Sequence, residues 1–146
     1  MTIIILHGKA NCGKTTVLKK LYAKIVADNR FAQLCFKKEG NGDLTAVFER
    51  NNKKIGLTTL GGTEAVLKDA FNLFIKESCD LCICACRSRD TKNGANNYVK
   101  TLSKNLVWYK KACIDLWNAK YSPDIEIDLI NGLQATALLK EIEMQI

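Results

Sequence analysis

Positions 2–7, TIIILH, form a nearly continuous apolar, β-branched run that stops at Gly8. A short run of this kind bounded by glycine predicts a buried strand of the parallel type. From Lys14 the period changes. Val17, Leu18, Leu21, Ile25 and Val26 recur at helical spacing to about Asp28, with lysines on the other face. FAQLCFK (31–37) reads as a second strand and EGNGD (39–43) as a turn by composition. LTAVFER and KIGLTTL flank Asn51 and Asn52, residues that tolerate left-handed backbone, which predicts a hairpin. After the break at Gly61 and Gly62, TEAVLKDAFNLFIKES predicts an amphipathic helix. Thr63 stands at its N-cap, with Val66, Leu67, Ala70, Phe71, Phe74 and Ile75 facing inward.

DLCICAC is apolar on both faces and predicts a central strand. RSRDTKNGANN (87–97) is polar and long enough for a functional loop. YVKTLSKNLVWYKKACIDLW fits either a helix followed by a strand or two short strands, closed by Tyr121-Ser122-Pro123. DLINGLQATALLKEIEM predicts a last helix, weakened near its start by Gly132. No repeat, low-complexity tract or linker interrupts the chain, so residues 1–146 read as one domain. Strands alternating with helices predict an α/β fold: a three-layer α/β/α sandwich on a mostly parallel sheet, with a β-hairpin after the first helix.

Composition narrows the function classes. Hydrophobic residues make up 47% and charged residues 25%, ordinary globular usage that argues against disorder. No apolar run reaches the roughly 18–20 residues needed to cross a bilayer, and the opening lacks a basic start and a cleavage site. The expectation is a protein without membrane association. The net charge of +7 suits a polyanionic ligand, a nucleotide or a nucleic acid. No basic stripe interleaved with aromatics favours the nucleic acid. Seven cysteines, an odd count without an export signal, predict reduced thiols and a cytoplasmic location. Cys82, Cys84 and Cys86 would lie about 6.6–7 Å apart along one strand face, too far for a shared tetrahedral zinc, so they read as core.

The chemistry concentrates after the first strand. Gly8, Gly13, Lys14 and Thr15 spell G-x-x-x-x-G-K-T between a strand and a helix. Glycines let successive N–H groups converge on phosphates, and the helix start adds its positive dipole end. Gly8, Lys9, Ala10, Asn11, Cys12, Gly13, Lys14, Thr15 and Thr16 are therefore the candidate phosphate-binding residues. In this role Lys14 reaches the β- and γ-phosphates, Thr15 offers a hydroxyl to Mg²⁺, and Thr16 bonds a neighbouring phosphate. The ligand expected is ATP or GTP with Mg²⁺; no N-K-x-D motif reads guanine, which shifts the base towards adenine. Cys12 sits inside the loop as a small residue beside Lys14, and His7 ends the first strand.

The acid that usually assists such a site is missing from the second apolar strand. DLCICAC ends in Arg87, and KIGLTTLGG ends in threonines and glycines. In GTPase order, Thr58 and Gly61 stand where a D-x-x-G carries its Asp and Gly. Glu39, Asp43 and Glu49 remain, of which Asp43, in a turn before a strand, is the first choice to accompany Thr15 at the metal. Arg87 and Arg89 leave the C-terminal end of a central strand, where arginine can clamp phosphate and stabilise charge in its transfer. Lys92 in the same loop suits a lid.

The opening GKANCGKTT resembles the P-loop NTPase superfamily. More loosely, IGLTTLGG (55–62) and CDLCICACR (79–87) are similar to segments of small bacterial and phage ATP-binding P-loop proteins, over roughly residues 2–90. Gly62 departs from that pattern, which carries Asp there. The resemblance implies a P-loop fold and ATP binding, with slow or partner-dependent hydrolysis. A small-molecule or nucleotide kinase is the alternative, and a non-catalytic nucleotide-binding module or GTPase-like switch acting through a protein partner is another. The sequence leaves the oligomeric state open.

Overall fold

The structure, a computed structural model, describes residues 1–88, 93–112 and 123–146. Its strands are β1 (Thr2–Gly8), β2 (Ala32–Lys38), β3 (Leu44–Arg50), β4 (Lys53–Thr58), β5 (Leu81–Arg87) and β6 (Leu106–Lys110). Its helices are α1 (Lys14–Ala27), α2 (Glu64–Lys76), α3 (Ala95–Leu102) and α4 (Pro123–Gln145), with a short 3₁₀ turn at Gly40–Gly42. The six strands form one sheet in the order β2-β3-β4-β5-β1-β6. β4, β5, β1 and β6 run parallel, and β3 lies antiparallel to both β2 and β4.

Strand alternation sorts the core into two layers. On one face Ile4, Leu6, Ile83, Ala85, Ala46 and Phe48 meet Val17, Leu18 and Leu21 of α1 and Ala135, Leu138 and Ile142 of α4. On the other, Ile3, Ile5, Val47 and the three β5 cysteines meet Leu67, Phe71 and Phe74 of α2 and Val99 of α3. Helices thus cover both faces of a mostly parallel sheet, the three-layer arrangement that the strand–helix alternation predicts. No helix among the described residues is long and apolar enough to cross a membrane.

The hairpin forms where expected. Asn51 and Asn52 take φ of 54° and 59°, the two left-handed positions that match the twist of the flanking strands. The ambiguous 98–110 stretch resolves into α3 followed by β6, because Val107 and Tyr109 pack towards the α1 and α4 layer while β6 pairs with β1. Its tail at residues 113–117 lies outside the described residues. Three inward assignments are corrected: Val26, Val66 and Ile75 are exposed, since four buried positions already fill the contact stripe of α1 and of α2. Thr63 stands at the N-cap of α2 but makes no side-chain cap bond. Instead it bridges Gly94, and the Glu64 N–H donates to the Asn93 carbonyl at 3.1 Å. The polar loop is shorter than expected, because α3 already begins at Ala95.

Candidate functional site

β1 delivers the chain to the C-terminal edge of the parallel strands, the edge at which open α/β sheets bind ligands. Gly8 is in register with Arg87 of β5, and the Ser88 N–H donates to its carbonyl at 3.1 Å. On the other flank the Lys111 N–H donates to the His7 carbonyl at 2.8 Å. His7 is a strand residue paired on both sides, its ring edge-on to Trp108 at 5.7 Å.

The loop from Gly8 to Gly13 turns through two left-handed residues, Asn11 (φ 54°) and Gly13 (φ 87°). Gly13 caps α1 without a side-chain acceptor, and no acid occupies the first helical turn. The leading N–H groups of α1 thus have neither a cap side chain nor a local carboxylate, the condition in which a helix start attracts an anion. Gly8 has a steric reason to be glycine: a Cβ there would come within 2.9 Å of Cys12 Sγ and 3.0 Å of Lys111 Cβ. Lys14 folds back over the loop and donates from Nζ to the Gly8 carbonyl at 3.0 Å and the Lys9 carbonyl at 2.5 Å. Cys12 Sγ lies 3.8 Å from the same ammonium. The loop backbone, its glycines and the Lys14 ammonium thus come together at the start of α1.

Thr15 is half-buried and Thr16 exposed at the helix start. Lys19, one turn beyond Thr15 on the same helical face, places Nζ 3.5 Å from where a Gly42 Cβ would sit. Lys19 thus reaches from α1 to the 40–43 turn. Asp43 ends that turn and accepts a hydrogen bond from Thr59 Oγ1 at 2.8 Å. The Thr15 hydroxyl and the Asp43 carboxylate are hard oxygen donors of the kind that Mg²⁺ takes alongside waters and phosphate oxygens.

The GTPase-like placement of Thr58 is corrected. β5 intervenes between β4 and β1, so the end of β4 is not beside the glycine loop. Thr58 is wholly buried; its Oγ1 lies 3.0 Å from Thr45 Oγ1 and 3.2 Å from the Leu60 N–H that donates to it. Its hydroxyl serves the turn. Gly61 packs against β5, where a Cβ would approach the Ala85 carbonyl to 2.6 Å.

Arg87 is exposed at the end of β5, next to the glycine loop. Its guanidinium lies against Gly62, with Nε 3.6 Å from where a Cβ would be, an ordinary contact distance; the φ of 108° is what requires glycine there. The Arg87 carbonyl accepts from Asn96 Nδ2 at 2.6 Å, which ties the end of β5 to the start of α3. Arg89 and Lys92 lie outside the described residues.

The β5 cysteines are core. Cys82, Cys84 and Cys86 are fully buried against α2 and α3. Burial and the hydrogen bond to Cys79 push the Cys82 thiol up, and the bond to Cys86 together with burial does the same for Cys84. The six described cysteines are thiols, and Cys113 lies outside the described residues.

Two residues beyond the sequence-based candidates complete the site. A cavity of about 520 Å³ lies between the glycine loop and α4. Lys9, Ala10, Asn11, Cys12, Gly13 and Thr16 line it from the loop and α1; Lys111, just past β6, and Asn131 of α4 line it from the other side. Lys111 is only 5% exposed, with Cε 3.5 Å from the position of a Gly13 Cβ. Asn131 is 2% exposed, and its Oδ1 has no hydrogen-bond partner among the described residues. The sequence signal for Lys111 is its place one residue past a parallel strand. For Asn131 it is a lone amide within the apolar DLINGL.

Compared with family models, curated proteins and solved structures, the chain matches none.

Proposed function

We propose that this chain is a P-loop protein that binds a nucleoside triphosphate, ATP in the first instance, and hydrolyses it slowly or in response to a partner. The observation that carries this is the Lys14 ammonium held inside a glycine-bounded loop at the uncapped start of α1. That loop stands at the C-terminal edge of parallel strands.

In this reading the N–H groups of residues 9–14 and the start of α1 hold the α- and β-phosphates. Lys14 exchanges its two carbonyl partners for β- and γ-phosphate oxygens, a stronger charge-assisted pair. Mg²⁺, held by Thr15 with Asp43 directly or through water, would neutralise phosphate charge. Arg87, exposed and in register with Gly8, would meet charge that builds on the terminal phosphate.

The test is a thermal-shift titration with Mg·ATP of the wild-type chain and Lys14→Ala, paired with a phosphate-release assay. Wild type should be stabilised by saturating nucleotide, by about 2.7 kcal/mol at a hundredfold excess over Kd. Lys14→Ala should lose that stabilisation while keeping its own melting transition. An unchanged shift in the variant would sink the phosphate site. ADP formed only when a phosphate acceptor is added would replace hydrolysis with a kinase.

A further inference from the structure

We infer that the cavity between the glycine loop and α4 is the nucleoside subsite of the proposed triphosphate site. In it Asn131 accepts a hydrogen bond from a hydroxyl or N–H of the nucleoside. This rests on the phosphate reading above and extends it to the part of the ligand that the motif does not specify.

Direction comes first. Lys14 addresses the terminal phosphates, whereas Thr16, two residues on, forms part of the cavity wall. A triphosphate laid along the loop therefore has its α-phosphate end beside the cavity. Size agrees, because about 520 Å³ falls within the usual range for small-molecule pockets.

Charge separates the two ends. Lys9, Lys14 and Lys111 stand at the loop side, while Asp124 and Asp128 of α4 line the far wall. Asp128 is ion-paired to Lys20 at 2.7 Å. Carboxylates there repel phosphate and accept from sugar hydroxyls or base N–H groups. The ligand is thus oriented with its anionic end on the glycine loop.

Asn131 supplies the contact. Its two amide atoms each lie 3.6 Å from the position of a Gly13 Cβ, so the side chain sits directly against the loop. A buried amide oxygen without a donor is costly. A nucleoside donor entering the cavity removes that cost, which a bare polyphosphate cannot do. Gly13 has to be glycine for its backbone angle, and the space where its Cβ would lie is flanked by Asn131 and Lys111.

The experiment titrates ATP, GTP, 2′-deoxy-ATP and inorganic tripolyphosphate, each with Mg²⁺, into the full chain as wild type, Asn131→Leu and Ile127→Trp. Leucine keeps the number and branching of the heavy atoms and removes the acceptor. Tryptophan on the cavity wall fills the space without touching Asn131 chemistry, and covers the case in which Asn131→Leu fails to fold. Asn131→Leu should weaken ATP by about five- to tenfold, the size of one net hydrogen bond, and leave tripolyphosphate unchanged. Ile127→Trp should weaken every nucleoside triphosphate more than tripolyphosphate. Loss for 2′-deoxy-ATP equal to that for ATP assigns the donor away from the 2′-hydroxyl and supports the subsite equally. Equal losses for ATP and tripolyphosphate, or no loss in either variant, overturn the subsite while the phosphate site stands. Wild type that binds none of the four overturns the phosphate reading itself.

Discussion

Thr58 shows how a residue can occupy the expected place in sequence and a different one in space. Read along the chain, it ends a strand at the position of a metal-assisting acid. In the fold its hydroxyl lies between Thr45 Oγ1 and the Leu60 N–H with no exposed surface. Thr58→Val should therefore cost stability, about 1–3 kcal/mol by chemical denaturation, because a buried N–H and a hydroxyl lose their partner. The Mg²⁺ dependence of nucleotide-induced stabilisation should not move; a shift in that dependence would restore Thr58 to the metal. Asp43 differs, since its carboxylate accepts from Thr59 Oγ1 in the turn that Lys19 of α1 reaches. The loop residues were legible because each answers to a local demand: left-handed backbone at Gly13, a steric limit at Gly8, a cation at Lys14. Asn131 was not, because its meaning depends on which loop α4 packs against.

At the scale of elements, β4 and α2 are fitted to each other through Gly56. A Cβ at Gly56 would lie 2.5–2.7 Å from three ring atoms of Phe74, itself fully buried on α2. Gly56→Ala should destabilise the chain by about 1–3 kcal/mol, since Phe74 has no open space to enter. Adding Phe74→Leu should return part of that loss, a non-additivity readable in a double-mutant cycle. If the two losses simply add, the clash is not what fixes this glycine. The same packing explains why Val66 and Ile75 face outward although they are apolar. Helical periodicity marks a wide stripe, and only the part of it that meets the sheet is buried. Strand order was the least legible feature. Adjacency in sequence accounts for β5 beside β4, but not for β1, which pairs with β5 and β6 rather than with β2. β5 is apolar on both faces, and a position covered by helices on both sides is where such a strand loses least.

Across the whole molecule, one charge network joins parts of the chain far apart in sequence. Glu143 near the end of α4 accepts from Arg30 after α1 at 2.7 Å and from Arg50 at the hairpin at 3.0 Å. Arg30 also clasps Asp28, which lowers that carboxyl from its ordinary 3.8 to about 2; the bond to Arg50 likewise holds Glu143 down. A carboxyl whose folded pKa lies below its unfolded value stabilises the fold above the unfolded pKa. That contribution is lost as the pH falls through the folded one. The melting-temperature advantage of wild type over Arg30→Gln should therefore shrink between about pH 5 and pH 2. A constant advantage across that window would deny the network its role. The sequence by itself determined what local physics controls: strand and helix periods, the Asn-Asn hairpin, the cysteine-rich central strand and the glycine loop with its lysine. These depend on side-chain period, backbone angle and near neighbours, which the order of residues states directly. Only the tertiary structure decided that β5 flanks the loop, that Arg87 rather than Thr58 stands beside it, and that Lys111 and Asn131 close a cavity against it. Those facts depend on which elements share the scarce two-sided core, a competition among distant segments that no single stretch of sequence records.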